Sequence, residues 1–312
     1  MIKEGRFFKT ILMCLILGMF STTITVHADM GPKPSIQITF EGMGPEKCYG
    51  TLLSESISTG PSTAWDGTEA DAKHNENELY SYKDLDYETW KAFVEYTDVD
   101  GFYFLQEGWQ VNGTKELDWV YYPPSTFKIL LYYPESGTFL VSDIYEKYAF
   151  DSYYTVDMSK FQQPTDKTQS ESEETEKLVL IEKKIEAEKS YDYKKEIGFL
   201  LIRILATIAI ELVIAVMFGF TMKKQFLLLT GVNVVTQVIL NVLLNVLHYK
   251  MGPMAYKMSY IFFELIVFVI EATLYCKFLG RYGNKERSTR YYISYAFVAN
   301  LISFAAGFFI AK

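Results

Sequence analysis

Four apolar stretches, at about 197–220, 226–247, 259–279 and 291–311, limit what this chain can fold into more than anything else in it. Each is long enough for a helix to cross roughly 30 Å of hydrocarbon. The connectors between them sort by charge. "TMKKQ" carries Lys223 and Lys224, and "GRYGNKERSTR" carries Arg281, Lys285, Arg287 and Arg290. Placing those two connectors in the cytoplasm and "HYKMGPMAYKM" outside satisfies the positive-inside rule. The expectation for residues 196–312 is an all-α four-helix transmembrane bundle.

The N-terminus leads to the same orientation by a separate route. Basic Lys3, Arg6 and Lys9 precede an apolar core from about Ile11 to Phe20, and Val26 and Ala28 set small residues before Asp29. That pattern reads as a secretory signal peptide over residues 1–28, with a core too short to span. An exported domain must then precede the first span, which leaves the C-terminus external. Cleavage leaves Cys48 and Cys276, the second inside an apolar stretch, so no intrachain disulfide is expected. Bacterial export fits this cysteine usage.

Charge divides the chain. Residues 29–195 hold 32 Asp and Glu against 16 Lys and no Arg, while residues 196–312 are net positive. An acidic exported part is repelled by nucleic acid and by anionic lipid, which removes both as partners of that part.

Polar residues inside the apolar stretches form a pattern. In "VNVVTQVILNVLLN", Asn233, Gln237, Asn241 and Asn245 recur every four residues, a stripe on one helix face. Arg203 and Glu211 fall in the first stretch, Glu264 and Glu271 in the third, and Asn300 in the fourth. Counted from the span midpoints, Glu211, Gln237, Glu271 and Asn300 share the middle layer. Arg203, Asn241 and Glu264 share a second layer about 7 Å outward. Carboxylates facing lipid cost several kcal/mol, so these side chains are expected to face one another. Two readings follow: a site for a proton, a cation or a small polar ligand at Glu211 and Glu271, or interhelical glue. Ala299, Ser303 and Gly307 read as a close-packing face. His248 is the sole histidine in the membrane half, too few ligands for a zinc centre and no base for a serine nucleophile. No cofactor, metal or catalytic set is expected.

Residues 29–158 read as a β-rich extracytoplasmic domain, a sandwich of the immunoglobulin or fibronectin general kind. "SIQITFEGM", "KCYGTLLSE", "FYFLQEGW" and "YAFDSYYTVDM" are strand-like, and "FKILLYYPESGTFLVSDIY" is a hairpin closed by Pro-Glu-Ser-Gly. "DYETWKAFVEY" has Trp90, Phe93 and Val94 at helical spacing. Trp65, in a long polar loop, can either stack on a ligand or plug the edge of the sandwich. Both Asn112-Gly113-Thr114 and "DVDG" at 98–101 read as turns. Residues 159–195 read as a polar linker followed, from Glu176, by a charged helical stalk with Leu178, Ile181 and Ile185 on one stripe.

"ADMGPKPSIQITFEG", "CYGTLLSE", "STGPSTAWDG", "FLQEGW", "PPSTFKILLYYPESGTFLVSDIYEKYAFDSYYTVDM", "VNVVTQVILNVLLN" and "FELIVFVIEATLYC" together resemble exported multi-span membrane proteins of clostridial-type Gram-positive bacteria. That group has no assigned activity. The resemblance implies a bacterial plasma-membrane location and adds no catalytic residue. The functional expectation is a non-enzymatic surface protein whose exported domain binds an envelope or extracellular ligand. It would relay binding to a membrane partner or a second copy of itself. The alternative is a transporter or channel component that uses the Glu211 and Glu271 layer.

Overall fold

The computed structural model describes residues 31–67, 85–161, 183–283 and 287–310. The expected signal peptide lies outside them. In β1 (Ser35–Glu41), alternation turns Ile36, Ile38 and Phe40 to one buried face. Next come β2 (Tyr49–Ser54), a small ribbon of β3 (Ser58–Thr59) and β4 (Ser62–Thr63), and helix α1 (Tyr87–Glu95). Short β5 (Tyr103–Phe104) and β6 (Trp109–Gln110), the single turn α2 (Val111–Thr114) and β7 (Glu116–Trp119) follow. The expected hairpin forms from β8 (Thr126–Tyr133) and β9 (Thr138–Ser142), in register from Tyr133 opposite Thr138, with Gly137 at φ +64° in its turn. β10 (Tyr145–Glu146) and β11 (Asp151–Asp157) close this region.

Two sheets share one core. One runs β7, β1, β11 and then a later strand; the other is built on β9, β8, β2 and β5, with β10 on β8 and β6 on β2. Ile36, Ile38, Phe40, Leu117 and Trp119 of the first meet Leu52, Phe127, Ile129 and Leu131 of the second. β1 and β11 pair in parallel, from Ser35 opposite Asp151 to Glu41 opposite Asp157. β2 is buried on both faces. Its alternate residues Tyr49 and Leu53 pack with Trp90 and Phe93 of α1, so the helix covers the outer side of that sheet. Asp86 caps α1 by accepting from the Thr89 N–H at 2.8 Å.

The stalk is a correction. Over its described part, residues 183–189 form two strands instead of a helix: β12 (Lys183–Ile185), parallel to β9, and β13 (Ala187–Lys189), antiparallel to β11. Ile185 is fully buried in the shared core, and Ala187 packs against it. The Glu and Lys content favours helix locally, yet Ile185 and Ala187 alternate with Lys184, Glu186 and Glu188. Open sheet edges on β9 and β11 select the period-two reading. The β-rich part therefore extends past residue 158 to about residue 190. Asn112-Gly113-Thr114, read as a turn, is a single helical turn. It lies in α2, which ends at Lys115 in the left-handed region at φ +58°.

Three long helices follow: α3 (Tyr193–Met217), α4 (Lys223–Phe278) and α5 (Thr289–Ile310). Two helical runs, Tyr193–Met217 and Lys223–Tyr282, are long and apolar enough to cross a membrane, where four separate spans were expected. The second and third apolar stretches fall on one continuous helical run, and α5 is not one of the two. That run breaks at Gly252, with φ +84° and ψ −178°, just before Pro253. Its arms fold back on each other: Gln225 Nε2 donates to the Leu279 carbonyl at 3.4 Å and Thr236 Oγ1 to Glu271 at 2.7 Å. The helical part is inside out compared with a water-soluble bundle. Leu201, Leu205, Val213, Leu227, Phe262 and Leu301 are exposed, while Glu211, Glu271, Asn233 and Asn241 are buried.

Candidate functional site

The sequence-derived polar residues converge. Arg203, Glu211, Gln237, Asn241, Glu271 and Asn300 are all buried, and Glu264 is half-buried. On the same face of α4, Asn233 is buried and Asn245 half-buried. Val234, Val238, Val242 and Val246, each one residue further on, are exposed. That 100° step separates a polar interior from an apolar exterior.

The pairing within the layer differs from a simple depth match. Glu211 accepts from Asn233 Nδ2, and the same amide donates to the Tyr275 hydroxyl at 3.1 Å. Glu271 accepts from Thr236 Oγ1 and from Asn300 Nδ2, both at 2.7 Å. Asn233 and Thr236 are one turn apart on α4, so the two carboxylates stand a turn apart along it. Gln237 bonds within its own helix, accepting from Asn241 Nδ2 at 2.8 Å on its carbonyl oxygen and 3.4 Å on Oε1. Arg203 donates from Nη1 to the Tyr256 hydroxyl, with its guanidinium 5.8 Å from that ring. Thr236, Tyr256 and Tyr275 escaped the sequence reading because Thr and Tyr are ordinary in apolar helices. A helical-wheel alignment of Thr236 with Asn233 is the one sequence signal that would have found any of them.

Several buried polar atoms here have no hydrogen-bond partner: Glu211 Oε1, Asn233 Oδ1, Asn241 Oδ1, Glu264 Oε2, Asn300 Oδ1 and Arg203 Nε. Five are acceptors and one is a donor. The expected close-packing stripe also forms. Ala299 and Ser303 are buried, and a Cβ on Gly307 would strike the Tyr260 hydroxyl.

A second feature lies where the β-rich part meets the helices. The Phe150 N–H donates to the Tyr249 carbonyl at 2.8 Å. The Phe150 ring occupies the space at Gly252, where an added Cβ would come within 2.6 Å of it. Beside this contact is a cavity of about 260 Å³ lined by Asp151, Tyr153, Tyr191, Asp192, Lys195, Glu196, His248 and Tyr249. Tyr191 stands nearly perpendicular to Tyr249, 5.2 Å between centroids, and 6.0 Å from Tyr153. Burial, with Glu196 adding to it, pushes the Tyr191 hydroxyl up to about 12. Trp65 is 39% exposed, and its ring meets the edge of Trp90 at 5.8 Å. It leans on the helix-covered face, apart from that cavity. Cys48 is buried and unpaired, its thiol pushed up to about 12 by burial, and Cys276 is also unpaired. No protein-family model, curated protein or solved structure matches this chain.

Proposed function

We propose that this chain is an integral protein of a bacterial plasma membrane that binds a small ligand outside the cell and passes binding into its helical bundle. In this reading the four apolar stretches all cross the bilayer, the two arms of α4 as separate spans. The β-rich domain, of sandwich type and immunoglobulin or fibronectin general kind, lies outside with the Gly252 apex and the C-terminus. The protein acts without catalysis, and a membrane partner or second copy receives the signal.

The observation that carries this reading is Phe150 seated on Gly252. A displacement of β11 must move the apex of the α4 hairpin, because the ring fills space that only glycine leaves. The adjoining cavity supports a ligand with a positive group. Asp151, Asp192 and Glu196 outnumber Lys195 there, and three tyrosine faces surround them. Tetramethylammonium is the simplest probe. Saturable quenching of tyrosine emission in the full chain is expected, weakened about tenfold in Tyr191→Ala for a lost cation–π contact of about 1.4 kcal/mol. Gly252→Ala should leave that binding in place but remove the ligand's effect on melting of the bundle. Absence of saturable binding, or a bundle response that survives Gly252→Ala, would refute the reading.

A second reading, a transporter or channel component, draws on the surplus of acceptor oxygens around Glu211 and Glu271. Flux through proteoliposomes that persists in the Glu211→Gln, Glu271→Gln double variant would remove these acids from any path.

A further inference from the structure

The unpartnered polar atoms are not spread evenly along the bundle. Its near end adjoins the β-rich part at Tyr193, Tyr249 and Gly252; its far end holds the Met217–Lys223 and Leu279–Thr289 connectors. Arg203 Nε, Asn241 Oδ1 and Glu264 Oε2 lie in the near half, Asn300 Oδ1 at the middle, and Glu211 Oε1 and Asn233 Oδ1 beyond it. From Glu211 and Asn233 onward to the far connectors there is none among the described residues. The polar groups there are closed on themselves: Gln225 on Leu279, Tyr291 on the Phe218 carbonyl and Tyr295 on the Glu211 carbonyl at 3.3 Å.

Packing follows the same division. Ile214, Phe220, Leu229, Tyr275, Leu279 and Tyr292 belong to one continuous far-half cluster, with Phe220 5.0 Å from the Tyr295 ring. The near-half cluster is smaller, Leu240, Leu244, Tyr260 and Val267, and is interleaved with Arg203, Asn241 and Glu264. Interhelical glue alone would pair its acceptors. Here five acceptor oxygens face one unpaired donor. Turning an amide over exchanges its nitrogen and oxygen but adds no donor. A buried carboxylate layer with surplus acceptors fits a small positive species.

We infer that the Glu211 and Glu271 layer holds a small monovalent cation, H⁺ or Na⁺, which enters and leaves only from the β-domain side. This rests on the four-span reading above and sharpens it, since a one-sided site senses the exterior and conducts nothing. The groups facing the pair are Glu264 and Tyr275 on the second arm of α4, Tyr295 and Asn300 on α5, and Asn233 and Thr236 on the first arm; Arg203 of α3 stands nearer the open end.

The test uses the full chain in liposomes. A water-soluble carbodiimide with an amine probe is applied to one face at a time, and labelled glutamates are located by mass spectrometry. Labelling of Glu264 first, and then of Glu211 or Glu271, is expected from the β-domain side. It should be about a hundredfold slower from the other, because a charged reagent must cross the apolar far half. Near-side labelling that falls in sodium relative to N-methylglucamine identifies Na⁺; labelling that ignores sodium but titrates with near-side pH identifies H⁺. Near-side labelling indifferent to both overturns the inference. So does equal labelling from both faces, or labelling that appears only after unfolding. Glu271→Gln keeps the shape of the layer and should leave near-side labelling of Glu264 intact. Failure of the four-span reading is seen separately: cysteines at Ser125 and Gly283, in a background lacking Cys48 and Cys276, must label from opposite faces.

Discussion

At the residue scale, the β-rich domain hides a charge that local pattern does not announce. Lys128 on β8 is buried, and its ammonium donates to Asp98 Oδ1 at 2.7 Å and Oδ2 at 2.9 Å. Asp98 Oδ2 also accepts the N–H groups of Asp100 and Phe102, so the "DVDG" turn is folded around the carboxylate that neutralises the lysine. Asp100, half exposed, holds the same ammonium at 2.5 Å, so removing Asp98 leaves Lys128 with that one partner and takes the acceptor from the turn. Asp98→Asn should therefore destabilise the domain by about 2 kcal/mol, read by urea unfolding. A cost no greater than that of a surface pair would show that water reaches Lys128. Glu107 gives a second test. Burial pushes its carboxyl above the ordinary range, with the Ser62 hydroxyl opposing. An acid raised in the folded state keeps its proton after the unfolded chain has lost it, so stability falls as pH rises from the ordinary carboxyl value to the folded one. Glu107→Gln retains the Ser62 acceptor. It should raise the melting temperature at about pH 7 and leave it unchanged at about pH 3, below the usual carboxyl range. A gain of equal size at both would point to packing rather than proton linkage.

Among elements, β12 and β13 matter most for where the β-rich domain ends. β12 extends one sheet beyond β9, and β13 extends the other beyond β11. A fragment ending at residue 158 lacks both strands and leaves a hole where Ile185 sits. Burying an isoleucine contributes roughly 2–3 kcal/mol. A fragment of residues 29–190 should thus unfold at clearly higher urea than one of residues 29–158, and both should ignore reductant. Equal midpoints would mean that β12 and β13 add nothing to the core.

On the scale of the whole molecule, a β-rich part with a conventional apolar core stands on a helical part whose polarity is reversed. The seam is narrow: Phe150 on Gly252, one backbone hydrogen bond, and tyrosines around a cavity. The reversed bundle predicts a contrast between neighbours. Gln237→Leu, which takes the Oε1 acceptor from the buried Asn241 amide, should destabilise the solubilised bundle by about 1 kcal/mol. Val238→Leu, one residue on and 40% exposed, should change little. Equal sensitivity at both positions would mean that the carboxamide stripe does not face the interior.

What the sequence by itself determined here is whatever depends on short-range period. The four-residue recurrence of Asn233, Gln237, Asn241 and Asn245 defined one helix face, period-two alternation defined β1, and two β-rich runs around Pro-Glu-Ser-Gly defined the β8–β9 hairpin. Tertiary structure decided what depends on a distant partner. Residues 183–189 became strands because two sheet edges more than thirty residues away were open to them. Glu211 took Asn233 instead of Gln237, since the tilt and depth of packed helices choose among residues one turn apart. Lys128 could be buried only because the chain brings Asp98 back to it from thirty residues away. Period follows from local backbone geometry, whereas partner choice follows from how the whole chain closes.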